Sequence, residues 1–116
     1  MRNNLLSWQW QGYSVAHRDR RNLLLHLFTA PIFAAGLAMS LAAPLFAGWL
    51  ALPGIAAMLA VLVVQGRGHR DEASAPVPFT GPADFVTRFV AEQLVTFPRF
   101  VLSGGFRRAW HATTTV

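Results

Sequence analysis

The chain has no cysteine and no lysine, and only five acidic side chains among its 116 residues. Without cysteine there is neither a disulfide framework nor a thiolate metal site, so any metal must be held by nitrogen and oxygen. Charged residues make up 13% of the chain, about half of the ~25% usual for soluble domains, while 53% are hydrophobic. A chain this long supports one domain and not two separate cores. The formal net charge of +5 comes entirely from arginine over acid. The arginines stand in clusters, Arg18, Arg20 and Arg21, then Arg67 and Arg70, then Arg99, Arg107 and Arg108. No basic-aromatic motif accompanies them, so no nucleic-acid partner is expected. Each cluster flanks an apolar segment, where topology-setting positive charge belongs.

From Asn22 to Gly66 there is no Asp, Glu, Lys or Arg. That run is more than twice the ~20 residues one membrane-spanning helix needs. The expected fold is therefore all-α, an integral membrane helical hairpin with additional interfacial or half-buried helices. Residues 1–22 read as an N-terminal helix without the apolar core of a signal peptide, so no cleavage is expected. Residues 23–65 form the hairpin, with spans over Leu23 to Ala43 and Leu50 to Gln65. The breakers Pro44, Gly48, Pro53 and Gly54 set its turn, and Trp49 suits the interface there. Small residues, Ala30, Ala34, Ala35, Gly36, Ala38, Ser40, Ala42 and Ala43, allow the two helices to approach closely. Residues 66–82 are a Pro- and Gly-rich connector. Residues 83–106 are an amphipathic helix in which Arg88 and Glu92 can pair across one turn and Pro98 imposes a kink. Gly104 and Gly105 end it, leaving 107–116 as a fraying tail. Both hairpin ends carry arginine, which places them on the cytoplasmic side.

The histidines are not explained by membrane burial. His17 and His26 bracket the start of the first span and His69 follows the second. An antiparallel hairpin makes those ends neighbours, so three imidazoles can converge as ligands for iron, zinc, copper or nickel. Nine residues separate His17 from His26, half a rotation on one helix, so convergence requires a break between them. Asp19 to Asn22 supplies candidate N-caps for a new helix. A polar residue precedes each histidine by four, Tyr13, Asn22 and Gln65, and can orient a ring nitrogen. Glu72, three after His69, is open as ligand, general base or solvated residue, and His111 as a fourth nitrogen or an incidental tail residue.

Two blocks, Tyr13-x3-His17-x4-Asn22-x3-His26-x4-Pro31 and Gln65-x2-Gly68-His69-x2-Glu72-x3-Pro76, resemble the membrane-embedded, iron-dependent 2-hydroxy fatty acid dioxygenases. The match covers residues 13–76, with a shorter connection between the blocks than in the fungal members, Thr29 where many relatives have Gly, and Val77 where Ala is usual. The resemblance implies an Fe(II) enzyme of fatty acid alpha-oxidation that uses dioxygen, without 2-oxoglutarate, to shorten a 2-hydroxy fatty acid by one carbon. His17, His26 and His69 would be the metal ligands, Asn22 and Gln65 their supports, and Tyr13 and Glu72 the candidate catalytic residues. The acyl tail is expected along the hairpin in membrane lipid, and Arg18, Arg21, Arg67 or Arg70 is the candidate carboxylate receptor. Homo-oligomerisation is left open. The alternative is a non-catalytic small membrane scaffold or lipid-binding protein whose histidines respond to pH or touch headgroups. Bis-histidine haem binding is a weaker third reading, without a cysteine attachment motif to support it.

Overall fold

The computed structural model describes residues 4–112, and among these every regular element is helical. Helix α1 (Leu5–Ala16) stops because His17 leaves helical space at φ −133°, ψ 71°. Helix α2 (Arg20–Phe46) starts afresh on Asp19, whose carboxylate accepts the Asn22 N–H at 3.2 Å. This supplies an otherwise orphaned donor of the first turn with a partner. The carboxylate of Glu72, far along the chain, adds to it: it accepts the backbone N–H groups of Arg18 and Asp19 and the Asn22 side-chain amide, the shortest contacts at 2.8 Å.

Helix α2 runs through both Pro31 and Pro44 and turns only at Ala47, which is extended. Pro44 is therefore not the breaker that its missing N–H suggests. A short tight turn, Gly48–Leu50, leads into α3 (Ala51–Gly68). Pro53 sits in the first turn of α3, where no intrahelical N–H bond is lost. The two helices are thus longer than their apolar cores, because each continues into polar residues that carry the site. The two helices cross where both lack a side chain. A Cβ on Gly36 would lie 2.7 Å from the Gly54 carbonyl oxygen, and one on Gly54 would lie 2.7 Å from that of Gly36. Of the small residues in α2, Ala30, Gly36 and Ala43 are buried, whereas Ala35 and Ala38 face outward.

Arg20–Phe46 and Gly48–Asp71 are each long and apolar enough to cross a membrane. Only 28% and 17% of their most apolar stretches are buried. Leu41, Leu45, Phe46, Trp49 and Leu52 are among the large apolar side chains left outside. In water each would forfeit roughly 1.5–3 kcal/mol of burial, together comparable with the ~5–15 kcal/mol stability of a whole domain.

After a turn at His69–Asp71, the chain crosses to α4 (Pro82–Ala91), continues through one π-helical turn (Glu92–Thr96) into α5 (Phe97–Leu102), and ends in α6 (Gly105–Ala112). The π turn precedes Pro98, which has no N–H to give and whose ring would crowd the carbonyl four residues back. Its effect is large. Glu92 and Gln93 are adjacent, and a regular helix would spread them by about 100°, yet both point into the protein. Gly104 (φ 87°) turns the chain and α6 follows. The expected tail is therefore helical to Ala112, with Trp110 clamped by Arg20, whose Nε donates to the Trp110 carbonyl and whose guanidinium lies 4.7 Å from the ring. Residues 113–116 of that tail lie outside the described residues. The core of Tyr13, Leu23, Ala30, Phe97 and Phe100 joins α1, α2 and α5, with Trp10, Leu27, Phe106 and Trp110 packed around it.

Candidate metal centre

The break between α1 and α2 resolves the half-rotation between His17 and His26. Their ring centroids are 4.8 Å apart, and His69 lies 4.8 Å from His17 and 5.1 Å from His26. A fourth group joins them. Glu92 Oε2 is 3.1 Å from His17 Nε2 and 3.2 Å from His26 Nε2. One ligand atom from each of His17, His26, His69 and Glu92 lies within 4.8 Å of all the others.

Ring orientation decides what this cluster accepts. His17 Nδ1 is 2.8 Å from the Tyr13 carbonyl and His26 Nδ1 is 3.0 Å from the Asn22 carbonyl. A carbonyl oxygen only accepts, so each Nδ1 carries the hydrogen and each neutral ring presents its Nε2 lone pair to the centre. Both Nε2 atoms, and Nδ1 of His69, are buried without a hydrogen-bond partner. Two lone pairs facing a carboxylate oxygen repel, and either a metal cation between them or a second proton on the rings relieves that repulsion. Opposed donors on a zinc-sized ion at ~2.1 Å are ~4.2 Å apart, so closing on such an ion asks for movements under an ångström. Three imidazoles and one carboxylate fit a borderline transition metal such as iron or zinc.

Tyr13 belongs to the centre twice over. Its ring stacks on His17 at 3.8 Å, and its hydroxyl donates to Glu92 Oε2 at 2.8 Å. Burial, then the charge of Glu92 and this hydrogen bond, push the phenol well above its ordinary range, so Tyr13 is a donor and not a base. Burial alone would raise the Glu92 carboxyl. When His17 and His26 carry a second proton on Nε2, their hydrogen bonds and positive charge outweigh it and hold Glu92 well below the usual carboxylate range.

Several expected roles move. Glu72 is not in the cluster: its carboxylate is spent on the α1–α2 junction, which makes it the clamp that sets His17. Glu92 does not pair with Arg88, whose guanidinium binds Asp84 at 3.2 Å and the Val77 and Pro78 carbonyls instead. Asn22 orients His26 through its carbonyl and not through its side chain, which donates to Glu72. The Gln65 side chain exchanges two hydrogen bonds with Gln93, at 2.9 and 2.6 Å, and donates to Thr29, so that Gln65 meets His69 through the backbone, its carbonyl accepting the His69 N–H. That pair locks α3 to the π turn, one residue from Glu92. His111 is exposed on α6, outside the cluster.

The centre borders a cleft of about 680 Å³ between α1, the end of α3, the 75–79 segment and α4, with His17, His69 and Glu92 in its wall. Of the candidate carboxylate receptors, Arg18 lines a different cleft together with Arg108, and Arg21, Arg67 and Arg70 are exposed and line neither. Arg88 is the arginine that lines the cleft of the centre, and its partners are already within the protein.

Glu92 is the site residue that sequence reasoning missed. Its signal was present: it is the lone acid in the apolar stretch from Phe85 to Phe106. Comparison with protein-family models, curated proteins and solved structures finds no match to this chain.

Proposed function

We propose that the chain is a membrane-embedded non-haem Fe(II) dioxygenase that shortens 2-hydroxy fatty acids by one carbon, with α2 and α3 crossing the bilayer and both hairpin ends on the cytoplasmic side. One observation carries the reading. His17 and His26 are each fixed by a backbone carbonyl so that their free Nε2 atoms converge on Glu92 beside His69. That donor set suits a non-haem iron with positions left over for other ligands. Iron bound there would supply dioxygen binding and electron transfer.

The residues of the chain do the rest. His17, His26, His69 and Glu92 would hold the metal, and Tyr13 holds Glu92 by a hydrogen bond and keeps its own proton. Glu72 holds the loop on which His17 rides. No unengaged arginine lines the cleft, so the charge of an acid head group is matched at the centre itself. The overall conversion needs no second substrate. An acid R–CHOH–COOH and dioxygen give R–COOH, carbon dioxide and water, the four electrons lost by the two carbons being those dioxygen takes up.

The test is oxygen uptake by detergent-solubilised, iron-loaded protein. A 2-hydroxy acid should trigger uptake and yield the acid one carbon shorter, whereas the unsubstituted acid should not. His26→Ala should abolish both iron content and uptake. Protein that binds no iron after anaerobic loading, or that binds it and leaves every 2-hydroxy acid intact, would defeat the proposal.

A further inference from the structure

The cleft leading from the centre has an unusual distribution of polarity. Its buried polar atoms that face no protein partner are the ring nitrogens of His17 and His69. Most other polar side chains in its wall are engaged within the protein, and Gln11 is exposed on α1. Gln9 meets Thr96 and the Arg88 carbonyl, Gln65 meets Gln93 and Thr29, and Arg88 meets Asp84 and two carbonyls. What remains is apolar, with Leu62, Val77, Phe79, Phe85 and Phe89 prominent. A site that sets unpartnered ligand nitrogens beside a largely apolar wall matches a molecule with one polar head and an apolar tail, and its volume lies within the ~300–1,000 Å³ of small-molecule sites.

Two glycines in the wall sharpen the point. Gly12 lies inside α1 and Gly66 near the end of α3, where glycine costs a helix roughly 1 kcal/mol against alanine. Neither has a positive φ, and a Cβ built on either meets nothing within 4 Å. Neither backbone strain nor close helix packing therefore calls for them. This contrasts with Gly36 and Gly54, which the helix crossing requires. The absent side chains at 12 and 66 leave space in the cleft wall.

We infer that this cleft, and not the lipid-facing surface of the hairpin, receives the unbranched acyl tail, and that Gly12 and Gly66 set the chain length it accepts. The inference rests on the reading of the centre as the site of a 2-hydroxy acid head group. It differs from the expectation that the tail lies along the hairpin in the bilayer.

A 2-hydroxyhexadecanoic acid bearing a diazirine near its tail end tests it without turnover. Irradiation of the iron-loaded protein under argon, followed by peptide mapping, should place the label on the 75–89 segment and on Leu62. Label confined to Leu41, Leu45, Phe46 or Leu52 would overturn the inference even if the protein consumes oxygen with the acid. Label in the cleft with no oxygen uptake would instead uphold the tail site and sink the dioxygenase reading. The second arm is substitution. Gly66→Leu and Gly12→Leu should keep the iron content and the melting temperature. They should weaken competition by 2-hydroxyhexadecanoate against the photoprobe on the order of tenfold relative to 2-hydroxyoctanoate, since each methylene kept out forfeits about fourfold. Gly48→Leu, also in open space but at the hairpin turn, should leave that ratio unchanged. Equal ratios in all three variants would refute the role of the two glycines.

Discussion

Replacing Glu72 with alanine separates two roles that the same residue can have. In the structure its carboxylate accepts the N–H groups of Arg18 and Asp19 and the Asn22 amide, so it closes the start of α2 and fixes the residues next to His17. Hydrogen bonds to a charged group are each worth roughly 1.5–3 kcal/mol. Two of the donors are backbone groups at a partly exposed junction, and solvent replaces part of what is lost. A loss of ~2–4 kcal/mol in stability is the resulting expectation. Because His17 then moves with the loosened junction, iron affinity should fall as well, and excess iron should restore both binding and thermal stability by mass action. The assay is a melting curve of the detergent-solubilised protein at rising Fe(II). Glu72→Gln, which keeps the shape and an acceptor oxygen, should fall between wild type and Glu72→Ala. A Glu72→Ala protein with wild-type stability and iron affinity but no turnover would refute the reasoning and make Glu72 a chemical base.

Three other expectations follow from separate parts of the molecule. Tyr13 is the single tyrosine, so phenolate absorbance reports on it alone. In the apoprotein, ionisation should begin only well above pH 10, and since the folded state raises this pKa, the stabilisation is complete below the unfolded value near 10 and fades as pH rises beyond it; titration with ordinary phenol behaviour would contradict the buried Tyr13–Glu92 contact. Gln93→Leu should destabilise by about 1–3 kcal/mol because it orphans the buried Gln65 Oε1, while Gln65 Nε2 keeps Thr29, and the double change with Gln65→Leu should cost less than the sum of the singles; an additive cycle in thermal melts would show that the amides do not interact. Gly36→Ala or Gly54→Ala should cost about 1–3 kcal/mol through a forced separation of α2 and α3, and unchanged melting would place the helix crossing elsewhere.

The meeting of His17, His26 and His69 can be reasoned from sequence because the charge-free run is too long for one span and must double back, which returns its ends to one place. The break that turns His17 toward His26 is signalled by Asp19, the residue that caps α2. Glu92 is harder for a definite reason. Arg88 lies four residues from both Asp84 and Glu92, so helix spacing offers two equivalent pairs, and only the carbonyls of Val77 and Pro78, brought in by the connector, choose Asp84. The π turn at Glu92–Thr96 is likewise a tertiary outcome. Pro98 hints at a distortion nearby, but nothing local says that it takes the form of one inserted residue that points Glu92 and Gln93 the same way. Gly104 and Gly105 read as a terminus, yet Gly104 turns the chain into a further helix, and α6 is held by a contact to Arg20 far away in sequence. The supports of the imidazoles hide for another reason: they are backbone carbonyls, which every residue possesses.

The account rests on four donors from three separated parts of the chain binding one ion. Anaerobic titration of Fe(II) into the apoprotein, with wild type, His26→Ala, Glu92→Gln and His111→Ala side by side, addresses this directly. One equivalent should bind wild type and His111→Ala with equal affinity, His26→Ala should not bind, and Glu92→Gln should bind at least tenfold more weakly. Unaltered affinity in Glu92→Gln, or a loss in His111→Ala equal to that in His26→Ala, would contradict it.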